Sequence, residues 1–259
     1  MKEKIALGMF TVNEAVKKDM ADTFLKLSKM GYTGIEFYGE PEDFPDAEKV
    51  KNALENANLQ LTSWHIEWRN LQKNTIAKTI KYLKQVNCPI AVIPCLGGKW
   101  NVNHTIADES EALWRDYAVK INAINQALKS EGLRLGYHNH EHEFELVYNG
   151  KTVFDILFES LDSDIIMEFD TGNCIEGGYN PSDIIKKYSS RDVLLHLKPY
   201  SHKKGFNIVL GDEDDDNNWQ DILSANPSKY LWLIVESENQ ALAELTNASK
   251  CIEDLIKYL

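Results

Sequence analysis

The chain has 259 residues, 43% hydrophobic and 26% charged, with 40 acidic against 28 basic side chains and a formal net charge of −12. These proportions are those of ordinary globular proteins and exclude a disordered, collagenous or coiled-coil chain. No apolar run approaches the roughly 18 residues of a membrane span, and the negative field repels phosphate backbones, so neither a membrane nor a nucleic acid is expected as partner. The first apolar stretch is too short for a signal peptide and lacks a small-residue cleavage site. Cys88, Cys95, Cys174 and Cys251 form no C-x-x-C pair, which suits free thiols and a cytoplasmic location.

Short apolar runs alternate with longer stretches of helical period. The first run, 5–10, precedes a stripe of Val16, Met20, Phe24 and Leu27; the second, 34–38, precedes Ala47, Val50, Leu54 and Ala57. The third, 59–66, leads to Ile76, Ile80, Leu83 and Val86; the fourth, 89–96, leads to Gly97-Gly98-Lys99-Trp100 and then Leu113, Tyr117, Ile121, Ile124 and Leu128. The fifth, 134–139, precedes Phe154, Leu157 and Leu161. After the sixth, 165–171, Asn180 and Pro181 mark a helix start. The seventh, 193–199, is followed by an acidic run, 212–216, and a short helix around Trp219, Ile222 and Leu223. The eighth, 231–237, precedes Leu245, Ala248, Ile252, Leu255 and Leu259.

Near-continuous apolar strands are those of a parallel sheet buried on both faces. Eight strand–helix units in one chain predict an α/β fold, a (β/α)8 TIM barrel forming a single domain over 1–259. The rival, an open doubly wound sheet, usually carries a Gly-rich phosphate turn after its first strand, and residues 8–13 do not.

Active sites of such barrels lie at the C-terminal strand ends. There the chain places Glu36, then His65 and Glu67, then His138 to Glu143, then Glu168 and Asp170, then His196 and Lys198, then Glu236 and Glu238. Ionisable groups on buried strands are costly unless paired or metal-bound. Alternation puts His138 and His140 on one face, Glu168 and Asp170 on one, and His196 and Lys198 on one. Four adjacent strands can therefore bring His138, Asp170, His196 and Glu236 to one point, a mixed nitrogen and carboxylate set that suits one divalent ion: Mn, Zn, Co or Fe. A lone histidine such as His65 packs as readily as it ligates. Glu168 either holds a ligand from behind or pairs with Lys198. The acidic run reads as a solvated loop rather than a calcium site, because it lacks the spacing of known calcium loops. Trp100 offers an aromatic platform for a sugar ring, or is part of an ordinary loop.

The segment Gly136-Tyr137-His138-Asn139-His140-Glu141-His142-Glu143-Phe144 resembles the Y-H-N-H-x-x-E-F signature of one branch of the sugar phosphate isomerase/epimerase family, which has the xylose-isomerase-like TIM barrel. Phe169-Asp170-Thr171-Gly172-Asn173 is similar to its D-T-G-H, Leu195-His196-Leu197-Lys198-Pro199 to its H-L-K-D, the stretch 210–219 to its G-E-G-x-x-D-W, and Val235-Glu236-Ser237-Glu238 to its V-E-x-D. The resemblance implies a divalent metal on His138, Asp170, His196 and Glu236, and removal of a proton beside a metal-polarised carbonyl. It implies Glu236 as the base, Lys198 on a developing oxyanion or a hydroxyl, and Glu36 and His65 on sugar hydroxyls. It also shows three departures: His138 where many epimerases carry glutamate, Asn173 for a histidine and Pro199 for an aspartate. His140 or Glu143 could then stand in for the second acid/base; Glu143, Trp100 and Asn173 are expected at the substrate, and the contacts around Asn173 would differ.

The leading reading is a sugar or keto-sugar isomerase or epimerase acting on a small-molecule carbohydrate. The alternatives are a lyase that eliminates from a 3-keto-sugar or keto-inositol, and a barrel that binds sugar without turnover. A DNA-repair endonuclease of the same barrel type is disfavoured by the charge. The outer helices could pair two copies into a homo-oligomer.

Overall fold

The computed structural model describes residues 4–39, 45–98 and 109–259. Eight parallel strands close a barrel in sequence order: β1 Ile5–Gly8, β2 Gly34–Tyr38, β3 Gln60–His65, β4 Ile90–Ile93, β5 Arg134–His138, β6 Ile166–Asp170, β7 Val193–Leu197 and β8 Tyr230–Val235. Closure is made by β1 against β8, with Ala6 beside Ile234 on one flank and Gly34 on the other. The α/β barrel expected from the alternating pattern is the observed fold.

Alternation splits each strand between two cores. Ala6, Ile90, Val92, Ile166, Leu194, Trp232 and Ile234 fill the lower interior. Their neighbours, among them Leu7, Ile35, Phe37, Trp64, Tyr137, Met167 and Leu195, face the helices and join the larger core. Trp232 plugs the barrel floor, and Gly34 makes room for it: a Cβ there would lie 2.8 Å from both the indole ring and the Thr62 methyl. Above this apolar plug the inward residues change to Glu36, His138, Glu168 and His196. The lower half therefore provides the rigid base on which the charged half sits.

Helix starts follow local capping. Asp19, Asp46, Ser110, Thr152 and Asn218 each accept from the backbone N–H three residues on. Asn180 caps the helix Pro181–Lys187 by accepting from the N–H of Ser182, at the expected position. Arg191, buried, donates to the carbonyls of Phe158, Leu161, Asp162 and Ile165 and so closes the end of the helix Val153–Ser160.

Some boundaries differ from the sequence reading. β1 ends at Gly8, and residues Met9–Val12 form a 3-10 turn that carries Phe10 outward. The first helix breaks at Asp19 into Asn13–Lys18 and Met20–Met30. A helix Thr171–Glu176 and a hairpin of Val147–Tyr148 with Lys151–Thr152 were not foreseen. All four cysteines are free.

Candidate active site

The charged residues converge where β2, β3 and β5 to β8 end. Asp170 closes β6 and caps the helix Thr171–Glu176: one carboxylate oxygen accepts from the Asn173 N–H at 2.8 Å. The other oxygen, Oδ2, is thereby left for the barrel axis, 3.9 Å from His138 Nε2 and 3.9 Å from Lys198 Nζ. Asn139 fixes β5 to β6 by bonding both the N–H and the carbonyl of Asp170, at 3.0 and 3.2 Å.

His196 lies in the middle. Its Nδ1 is 3.2 Å from Glu236 Oε2, and its Nε2 is 2.8 Å from Glu36 Oε1 and 3.4 Å from Glu168 Oε1. His138 is similarly two-sided, with Nδ1 at 3.1 Å from Glu168 Oε1. His65 contacts Glu168 directly and lies 3.5 Å from Glu36. Ser63 donates to the remaining oxygen of Glu36 at 2.5 Å. Lys198 bridges Glu236 at 3.1 Å and Glu238 at 2.6 Å, with the Phe206 ring beneath it at 4.6 Å.

Charge follows from this packing. Burial opposes ionisation of Glu36, but His196 and His65 prevail and hold it at about 2. Burial likewise opposes a charge on His65, yet Glu168 and Glu36 raise it to about 9. Burial raises Asp170 to about 7 against the pull of Lys198, and burial with the charge of Glu36 raises Glu168 to about 7. Glu236 is also buried, but Lys198 and His196 keep it well below the carboxylate range. Burial, with the neighbouring cations, pushes His138 and His140 well below the usual imidazole value.

Among the described residues two groups of donors could hold a metal ion: Asp170, His196 and Glu236, and, one layer deeper, His65, His138, Glu168 and His196. The donors fit such an ion. Asp170 Oδ2, Glu168 Oε2 and both ring nitrogens of His196 are buried without a hydrogen bond, although carboxylates stand close by in distance. Unpaired burial of such groups costs about 1–3 kcal/mol each, and coordination to a divalent cation removes that cost.

A cavity of about 1080 Å³ opens above these groups, lined on its floor by Glu36, His65, His138, His140, Lys198 and Glu236. Asn173 also lines it, but its side-chain amide donates to the Asn139 carbonyl. Glu143, expected at the substrate, lies outside the lining. It is fully buried and accepts from the Tyr137 hydroxyl at 2.7 Å and the His140 N–H at 2.8 Å, so it braces the turn after β5. Trp100 lies outside the described residues. Glu168 contacts His65, His138 and His196, and Lys198 pairs instead with Glu236 and Glu238. The acidic run is an ion-paired loop: Asp212, Asp214 and Asp216 meet Lys204, Lys203 and His202. Ser63 and Phe206 were missed and have no sequence signal; the bond of Glu238 to Lys198 was signalled only by its two-residue spacing from Glu236.

The model of the xylose isomerase-like TIM barrel matches residues 24–256. An inosose dehydratase of Clostridium perfringens (strain 13) is 25% identical, over 79% of this chain and 84% of its own length. An inosose dehydratase of Clostridium tetani is 23% identical, over 92% and 91%. The crystal structure of a sugar phosphate isomerase/epimerase from Parabacteroides distasonis superposes with a TM-score of 0.82 at 22% identity, over 100% of this chain and 96% of that one.

Proposed function

The chain belongs to the xylose isomerase-like TIM barrel family, and on that premise we propose that it is a divalent-metal-dependent lyase of a keto-sugar or keto-inositol. In this reading it removes the proton beside the carbonyl and eliminates a group from the next carbon. The observation that carries the reading is the pairing of Glu236 with Lys198 at 3.1 Å, together with histidine, not a carboxylate, at the end of β5. One ionised base beside one fixed cation suits a single proton abstraction. The inosose dehydratase relatives agree in reaction type.

His138, Asp170, His196 and Glu236 would hold the cation, whose nitrogen and oxygen donors suit Mn, Zn, Co or Fe. When bound, such an ion supplies Lewis-acid polarisation of the substrate carbonyl. Glu236 turns Oε2 to His196 and Oε1 to Lys198, so Oε1 is the atom that takes the proton. The Lys198 ammonium, bonded to Glu238 and seated on Phe206, holds the negative charge that develops on the substrate oxygen. Glu236 then carries the proton and is placed to return it to the departing oxygen. His65 and Glu36 present polar edges to the hydroxyls at the cavity floor.

A second reading, isomerase or epimerase, is favoured by His140. It lines the cavity, and burial keeps it neutral. Mass spectrometry of keto-sugars and keto-inositols incubated with the metal-loaded chain in D2O separates the two. Loss of water or an alcohol marks the lyase; deuterium uptake without mass loss marks the isomerase or epimerase. Bound metal with no exchange in any substrate overturns both readings and leaves a sugar-binding barrel.

A further inference from the structure

The cavity is larger than its polar floor requires. A hexose, granted the liquid volume of one water per heavy atom, takes about 360 Å³, whereas the cavity measures about 1080 Å³. Above the floor the lining is mixed, with Asn13, Lys17, Glu67 and Glu176 in it, but one side is apolar. From the floor, one wall rises along Met9, Phe10, Val16 and Met20 toward Tyr38.

This wall begins at the base itself. A Cβ on Gly8 would lie 3.7 Å from Glu236 Oε2, and two residues later Phe10 stands at the rim with 53% of its surface exposed. Its ring meets Tyr38 at 6.0 Å between centroids and 59° between planes. The Tyr38 hydroxyl is tied to Asn13, so that ring is held in place beside Phe10. Other exposed apolar side chains, such as Leu25, Val119 and Ile256, lie away from the cavity. An exposed Phe10 packed on a half-buried Tyr38 and continuous with a polar floor is the form of a site that takes an amphipathic ligand.

We propose that the substrate is a glycoside or similarly substituted sugar whose apolar, aryl or alkyl group lies between Phe10, Tyr38 and Met20 while the sugar ring occupies the polar floor. This rests on the carbohydrate reading above, and it adds that free sugars fill only part of the site. The continuity of the apolar wall with Gly8 and Glu236 favours a substrate group over a second copy of the chain.

The test is calorimetric binding of paired methyl and phenyl glycosides of glucose, galactose, mannose and xylose to the metal-loaded chain, with metal content measured on the same sample. At least one phenyl glycoside should bind about tenfold more tightly than its methyl counterpart. Phe10→Ala should cut that ratio about threefold or more, whereas Leu25→Ala, outside the cavity, should not. A panel in which no phenyl glycoside outbinds its methyl partner, including one in which nothing binds, overturns the proposal. So does sedimentation showing that the wild type is a dimer that Phe10→Ala converts to monomer, since Phe10 would then be an interface residue. Bound metal without aryl preference sinks this inference alone; absence of metal sinks the enzymatic reading, and the aryl preference still stands or falls on its own titration.

Discussion

His138 presents Nδ1 to Glu168 at 3.1 Å and, from the far side of the ring, Nε2 to Asp170 at 3.9 Å. His196 repeats the arrangement, with Glu36 behind and Glu236 in front. Each imidazole thus has a deep carboxylate on one nitrogen and a carboxylate of the mouth on the other. Metal-bound histidines ordinarily donate their second N–H to a carboxylate, which fixes tautomer and ring plane. In the proposed metal site the mouth-facing nitrogens would be the ligands, and Glu168 and Glu36 would orient them.

That geometry ranks the variants. Asp170→Asn removes a proposed ligand, so the chain should lose its metal on dialysis against a weak chelator. Glu168→Gln keeps the shape and removes the carboxylate charge behind His138, and metal affinity should fall about 10–100-fold. Competition with a chromogenic chelator reads both. If Asp170→Asn keeps its metal while Glu168→Gln and His65→Ala lose theirs, the ion belongs to the deeper donors instead.

Metal affinity should also depend on pH. In the metal-free chain burial raises Asp170 and Glu168 to about 7. A cation binds the carboxylate form, so protons compete with it below that pH. Affinity should therefore weaken as pH falls through about 7, by about tenfold per pH unit for each proton displaced, and level off above it. Titrations across about pH 5.5–8.5 check this; a flat profile would show that Asp170 is ionised throughout.

Much of this was legible in the chain. Runs such as Ala91-Val92-Ile93 and Leu233-Ile234-Val235 have no polar face, and only a strand covered on both sides accepts that. Two-residue alternation likewise placed His138, Asp170, His196 and Glu236 above the apolar plug, because each ends or follows such a run. The orienting bonds were less legible. That Glu168 contacts three histidines depends on β3 bringing His65 across the barrel, and that Lys198 turns to Glu236 and Glu238 depends on the neighbouring end of β8. A β-bulge between Ile35 and Glu36 shifts the register, setting Glu36 beside Ser63, and local sequence does not reveal it. Glu143 misled for a related reason: its partner Tyr137 faces outward on β5, so the acid follows it away from the cavity.

Stability should hinge on a residue remote from the chemistry. Arg191 is 7% exposed and bonds four backbone carbonyls. Arg191→Ala leaves those carbonyls without their donor, and a loss of about 3–5 kcal/mol is expected. For a domain of this size that is roughly 6–20 °C in the melting temperature. Differential scanning fluorimetry gives the number. A drop under about 2 °C would mean that water replaces the guanidinium without cost.

Lys198 separates electrostatics from metal binding, because its donors point at carboxylates and it can ligate only if deprotonated. Glu236, Asp170 and Glu238 outweigh burial and hold the ammonium charged. Lys198→Met should therefore leave metal content near the wild-type value while kcat falls about 10²–10³-fold, the cost of losing one preorganised donor to a developing oxyanion. The pH profile carries the sharper sign. Glu236 is ionised against burial chiefly because Lys198 stands beside it, with His196 next. Without the lysine its pKa must rise, so the acid limb of kcat/KM should move to higher pH. A variant that loses its metal has lost structure rather than charge. One that keeps its metal and its acid limb while losing kcat would show that Glu236 is not the base.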